Sequence, residues 1–334
     1  MSSCIPTDTS LANPSIYTTV LHTLTCILVP VNLFGAYCIL IKSPKKMESV
    51  KWLMLNLHCL SLLLDFSVSF LGVPYALYPA PAGYPLGVLD IPAITEIYIF
   101  VTLLAAVGVA ILTVFENRYY VLFGENTWWE KARKPILIID HLLVPLYLVQ
   151  MFITVPEQEA AILEISKILP CTPPLFVNGR KLFVMAVDIQ MTFICVSFMS
   201  IWTAGQIIIF VAIIIIKLIK RARNSSVNSS RTNELQRKFV IALGLQTLVP
   251  FSVLLVPTSY VGFCQLFSYH NQLLNNLTFT FYSAHGLLST VIMISVHQPY
   301  RDFVLGPFRG WIDKRKVGTV IQPKLSVTQI SVVQ

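Results

Sequence analysis

From Ile97 to Phe115 the chain runs without a charged residue, inside a longer apolar stretch that begins at Ala93 and closes abruptly on Glu116-Asn-Arg118, Tyr119 and Tyr120. A run close to the roughly 20 residues needed to cross a hydrocarbon core leaves few folds open, because each backbone polar group must be satisfied within the segment. An arginine directly after such a helix can serve as an anchor by snorkelling into water, so this run alone gives Arg118 no function. Composition settles the class. Apolar residues make up 55% of the chain and charged residues 12%, with a mean hydropathy of +0.71. That balance belongs to a polytopic membrane protein whose solvent is the lipid bilayer. The net charge of +8 does not point to nucleic acid, because the cationic residues lie in short loops between apolar runs rather than on one surface of a soluble domain.

Hydropathy predicts seven spans, and the expected fold is all-α, a seven-transmembrane helix bundle. The first covers Ser15 to Ile41 and is followed by a short basic loop. The second, Trp52 to Tyr75, carries Asp65 near its middle, and a Pro- and Gly-rich connector from Tyr78 to Pro92 leads to the third. The fourth, Pro135 to Val155, contains Asp140 and His141, placed within two turns of its basic end where water and headgroups would solvate them. The connector Pro156 to Lys181 precedes a fifth span at Met191 to Ile216. A basic, serine-rich loop separates it from the sixth, Phe239 to Gly262, which holds Pro250 and Pro257 and is expected to kink. The seventh runs from Leu277 to Val296. Beyond it Val304, Phe308, Trp311 and Ile312 recur at helical spacing among cations, which predicts a short amphipathic helix on the inner leaflet.

All but three of the 24 Lys and Arg fall on one side of these spans, the exceptions being Lys167, Arg180 and Lys181. The positive-inside rule then puts the amino terminus outside and the carboxyl terminus in the cytoplasm. The expected division is an extracellular tail over residues 1–14, a membrane domain over 15–300 and a cytoplasmic tail over 301–334.

Several segments spread along this frame carry a family likeness. They are Phe34-Gly-Ala-Tyr-Cys-Ile-Leu40 with Lys42-Ser-Pro44, Ser49-Val-Lys-Trp52 with Leu55-Asn-Leu-His58, Leu64-Asp65, Ala82-Gly-Tyr-Pro-Leu-Gly87, Phe115-Glu-Asn-Arg-Tyr119 and His297-Gln-Pro-Tyr-Arg301. Together they resemble a nematode chemoreceptor of serpentine receptor class H, within the G-protein-coupled receptor superfamily. The resemblance implies a sensory receptor in the plasma membrane of neuronal cilia that binds a small extracellular chemical and activates a heterotrimeric G protein. It implies coupling and activation roles for Glu116, Arg118, Tyr119, Pro299, Tyr300 and Arg301. It also implies a sodium ion or a water network at Asp65. The chain departs from the rhodopsin-like pattern in that Asn117 separates Glu116 from Arg118. At 100° per residue these two side chains point about 200° apart, so an ion pair between them is not expected.

A lone carboxylate inside a span needs a partner or water, which makes Asp65 the sharpest candidate for an intramembrane polar network. Glu96, Tyr98, Asp188, Tyr260, Tyr282 and His285 fall in the outer halves of spans or at their mouths, where a ligand pocket would open. His22 and His58, single polar groups on apolar helices, are read as satisfied core residues. Cys4, Cys171 and Cys264 lie outside, in an oxidising compartment, and allow three pairings. Cys4 with Cys171 and Cys171 with Cys264 are the candidate bridges. Asn276 begins a glycosylation sequon beside the seventh span. No catalytic motif or metal-ligand spacing occurs within the spans, so neither an enzyme nor a cofactor is expected. A transporter or channel is the alternative; it would want midplane charges on several helices or two related halves.

Overall fold

A computed structural model describes residues 3–6, 8–43, 48–188, 190–224, 249 and 251–306. Helix α1 (Pro14–Lys42) starts where Asn13 Oδ1 accepts the Ser15 N–H and Pro14 takes the first helical position, whose N–H has no intrahelical use. Helix α2 (Glu48–Phe66) continues as a π-helical segment, Ser67–Gly72. Buried Val73 then turns the chain with a left-handed φ of 42°, a conformation uncommon for a β-branched residue. After β1 (Pro74–Ala76) and β2 (Ala82–Pro85) come α3 (Ala93–Tyr119), α4 (Trp128–Leu146) and α5 (Gln158–Ile168). Three short strands follow, β3 (Phe176–Val177), β4 (Arg180–Lys181) and β5 (Phe183–Val184). The remaining helices are α6 (Gln190–Asn224), α7 (Phe251–Phe267), α8 (Gln272–Val296) and α9 (298–306).

Six described helices are long and apolar enough to cross a bilayer, and α7 is a seventh, shorter apolar helix. The fold is therefore a seven-helix membrane bundle, with α3 packed against α2, α4 and α6 and with α1, α2 and α8 packed together. Several boundaries differ from the hydropathy reading. The tryptophan pair Trp128 and Trp129, expected in a loop, forms the first turn of α4. Helix α6 runs on past Ile216 to Asn224, because the cationic residues after Ile216 can follow the helix out of the hydrocarbon. The first half of the sixth span, Pro250 included, and Phe308, Trp311 and Ile312 of the tail lie outside the described residues.

The end of the bundle that carries the amino terminus is closed by structure the sequence did not announce. Strands β1, β2 and β5 form an antiparallel sheet that places Tyr75 opposite Tyr84. The Pro- and Gly-rich connector is thus a hairpin, and the longer connector holds α5 and a β3–β4 hairpin. Side chains tie this roof to the amino-terminal segment. Tyr75 Oη donates to Ala12 O, Tyr84 Oη donates to Pro174 O, and a disulfide joins Cys4 to Cys171. Cys264 is buried and free.

Candidate ligand cavity and basic-end cluster

Beneath the roof, between α3, α6, α7 and α8, lies a cavity of about 470 Å³, within the usual size range of small-molecule sites. Tyr75 and Tyr84 of the sheet cover it, and burial raises both phenols well above their ordinary value, so both remain neutral hydrogen-bond donors. Phe100, Phe279 and Tyr282 form an aromatic wall, with the Tyr282 ring 5.5 Å from Phe100 and 6.1 Å from Phe279. Tyr282 is oriented by its hydroxyl, 2.9 Å from Thr258 Oγ1 on α7. Glu96 is the one charged residue in the lining among the described residues.

Of the six expected pocket residues the structure brings Glu96 and Tyr282 together at this cavity and leaves the others outside its lining. Tyr98 faces α4, donating to Pro145 O and packing edge-on against Phe152. Asp188 is exposed, and its Oδ1 accepts the Gln190 N–H at the start of α6. Tyr260 Oη donates to Asn275 Oδ1 at 2.8 Å, joining α7 to α8. His285 is buried in α8 with no hydrogen-bond partner on either ring nitrogen among the described residues. Residues the sequence reading passed over line the site instead: Tyr75, Tyr78, Tyr84 and Phe183 above, and Ser197, Ser200 and Gln265 at the sides. The tyrosines clustered in the Pro-rich connector were the available signal.

Asn276, which begins the sequon, is not exposed in this fold. Helix α8 begins at Gln272 rather than Leu277, which turns Asn276 inward and leaves it fully buried. Its Nδ2 donates to Leu11 O at 2.9 Å and its Oδ1 accepts from Gln272 Nε2 at 2.8 Å, so the nitrogen a glycan needs is already committed.

Deeper in the bundle Asp65 is fully buried, and its two oxygens accept the backbone N–H groups of Gly286 at 3.0 Å and Leu287 at 3.2 Å. A Cβ added to Gly286 would lie 2.5 Å from Asp65 Oδ2, so only glycine permits this approach of α8 to α2. Around it, Thr290 Oγ1 donates to Asn32 Oδ1 at 2.6 Å and the Asn32 carbonyl accepts from His58 Nε2 at 2.7 Å. Thr25 donates to Ser69, which donates to the Asp65 carbonyl. His58 is thus satisfied, whereas His22 Nε2 has no partner among the described residues.

Asp140 corrects the sequence reading. It is fully buried at the centre of the span 128–152, because α4 starts at Trp128 and not near Pro135. Its Oδ1 accepts from Trp202 Nε1 at 2.8 Å and from Gln206 Nε2 at 3.0 Å on α6. Its Oδ2 has no partner among the described residues. His141 is exposed and its Nδ1 donates to Leu137 O.

At the opposite, basic end, Glu116 points away from Arg118, in accord with the helical angle. Its Oε1 accepts from Trp129 Nε1 at 2.7 Å and its Oε2 pairs with Arg133 at 2.9 Å, which ties α3 to α4. Arg133 also lies over the Tyr120 ring. Tyr119 packs against Trp129 and Phe210, with Lys217 of α6 5.3 Å from its ring centre. Tyr300 is buried, its hydroxyl 2.7 Å from Ser43 Oγ, and Pro299 and Arg301 share its short helix α9. Burial first, and then the Arg118 charge, push His297 down to about 4. The field of Arg118 on α3 thus reaches the start of the His-Gln-Pro-Tyr-Arg segment.

Seven apolar helices with a roofed cavity at one end and a basic cluster at the other define a seven-transmembrane receptor. By the match of its residues 12–310, the chain belongs to the family of serpentine type 7TM GPCR chemoreceptors, Srh, which are multi-pass membrane receptors and not enzymes. Over 316 residues it is 27% identical to Serpentine receptor class H-72 of Caenorhabditis elegans, an alignment covering 92% of this chain and 88% of that one.

Proposed function

We propose that this receptor binds a small molecule in the cavity between α3, α6, α7 and α8 and signals to a heterotrimeric G protein at the basic end. The observation that carries the reading is α3 itself. It contributes Glu96 to the cavity at one end and the Arg118–Tyr119 segment to the basic cluster at the other. A ligand preferring one arrangement of α3 against α6 and α8 biases the surface a partner meets, provided its affinity differs between the two arrangements. Asp65 and its network act as the fixed joint about which the other helices shift. The roof, with its disulfide, faces outside at the plasma membrane of a sensory cilium, and the basic end faces the cytosol, in keeping with the positive-inside asymmetry.

The test is a panel of volatile and water-soluble compounds applied to cells expressing the receptor, with second messenger as the readout. A compound that evokes a response in the wild type and not in Arg118→Ala, at equal surface amount, supports the reading. Solute flux without a G protein would replace it with a transporter. An antibody to the last residues that binds unpermeabilised cells would overturn the orientation.

A further inference from the structure

The cavity is closed above and open at the side. Of the roof residues in its lining, Tyr75, Tyr84, Ala82 and Pro81 are buried, the rest are half-buried and none is exposed. The lining residues that reach the surface are elsewhere: Ile201 on α6 is 72% exposed, Leu255 on α7 39% and Ile99 on α3 38%. Ser259 of α7 is exposed as well. At 1.5 Å rise per residue, Ile201 lies about 16 Å along α6 from Gln190 and Leu255 about 18 Å along α7 from Phe267. That depth is within the hydrocarbon core, which extends about 15 Å on either side of the midplane. The side of the cavity bounded by Ile201, Leu255 and Ser259 therefore faces lipid tails and not water.

The polar groups in the lining are few and converge. Glu96 accepts no hydrogen bond from any described side chain, and its Oε2 would lie 3.4 Å from a Cβ added at Gly72, just under the roof. Arg180, the cation whose field reaches Glu96, is committed to Asp90 and to the carbonyls of Gly87 and Leu89. Across the cavity Gln265 Nε2 is buried with no partner among the described residues. A buried donor and an acceptor left open in an otherwise apolar site are what a ligand's own polar head satisfies.

We propose that the cavity is loaded from the bilayer, through the gap between α6 and α7, by a lipophilic molecule whose hydrogen-bond-donating head meets Glu96. This rests on reading the cavity as the receptor's ligand site. A compound of this class concentrates in the membrane before it reaches the receptor. The carboxylate then selects among apolar bodies of similar size by their heads, accepting an amine or alcohol and leaving an ether of the same length unpaired.

The test uses full-length receptor in lipid nanodiscs and two photoreactive probes, a diazirine-bearing octylamine and its methyl ether of equal length. Light should attach the amine to lining residues of α6 and α7, with free octylamine competing. Glu96→Gln should cut amine labelling roughly tenfold, the factor expected when a hydrogen bond to a charged group is lost. Glu96→Asp should restore part of it. Ile201→Trp and Ser259→Trp should slow labelling severalfold, and opening the roof with Cys4→Ser should not speed it. Equal labelling of wild type and Glu96→Gln, equal labelling by amine and ether, or faster labelling in Cys4→Ser with no effect of the tryptophans overturns the inference. Specific labelling with no compound evoking a second-messenger response would uphold this inference and remove the receptor reading of the site. A response that persists unchanged in Glu96→Gln and Ile201→Trp, with no amine labelling, would do the reverse.

Discussion

Asp65 and Asp140 are both fully buried carboxylates inside crossing helices, yet they are held by different kinds of atoms. Asp65 is gripped by backbone N–H groups of α8 on both oxygens, with glycine at the point of contact. Asp140 is held through one oxygen by two long side chains of α6. The same contrast divides the bundle. On one side α1, α2 and α8 meet through backbone and short hydroxyls, at distances that admit no extra methyl. On the other, α3, α4 and α6 meet through Glu116, Arg133, Trp129, Trp202 and Gln206. Backbone donors cannot swing away without unwinding a helix, whereas side chains can change rotamer and partner. The second half is the one built to rearrange, and its α3 carries both Glu96 of the cavity and the Arg118–Tyr119 segment.

The largest effect should follow from breaking the rigid joint. Asp65→Ala leaves two backbone donors without their acceptor, and Gly286→Ala forces the helices apart. Each should lower the stability of the purified receptor by about 3–5 kcal/mol, or prevent its reaching the surface, as thermal unfolding and surface labelling would show. A mild effect of both would erase the distinction between the halves. Glu116→Gln comes next, at about 2–3 kcal/mol, since Arg133 is left partly buried without a counter-charge.

The two halves meet at His297, whose neighbours include Arg118. Folded protein keeps this imidazole neutral down to about 4 while an unfolded chain protonates it near 6.5. Its contribution is therefore complete above pH 6.5 and is lost as pH falls toward 4, with about 2 kcal/mol gone by pH 5. Unfolding at pH 7 and pH 5 should show a smaller drop in His297→Gln than in the wild type. The smallest effect belongs to Asp140→Asn, within about 1 kcal/mol, because the amide oxygen still accepts from Trp202 and Gln206. A loss there as large as that of Asp65→Ala would make the two joints equivalent.

The spans and the burial of Asp65 within one of them were legible because hydropathy is a local property of the chain. Asp140 was misplaced for a physical reason. Trp128, Trp129, Lys131, Arg133 and Lys134 look like an interfacial loop, but Arg133 and Trp129 are turned inward by Glu116, so helix α4 begins among them. The roof was invisible because its strands are two to four residues long, too short to show an alternating pattern, and their pairing joins segments far apart in sequence. The cavity was legible only in part. Glu96 stood out as a charge on an apolar helix, whereas apolar packing that defines a binding shape leaves no motif.

The stitching of Cys4 and Ala12 into the roof has a practical corollary. The stretch that carries them reads as a dispensable leader into the first helix, a natural place to splice a reporter epitope. Yet Cys4 and Ala12 each hold a separate piece of the roof, and Leu11 holds the first turns of α8. An epitope inserted there would pull on the lid over the cavity, so a silent receptor in such an assay would report the tag's position and not the compound's inactivity.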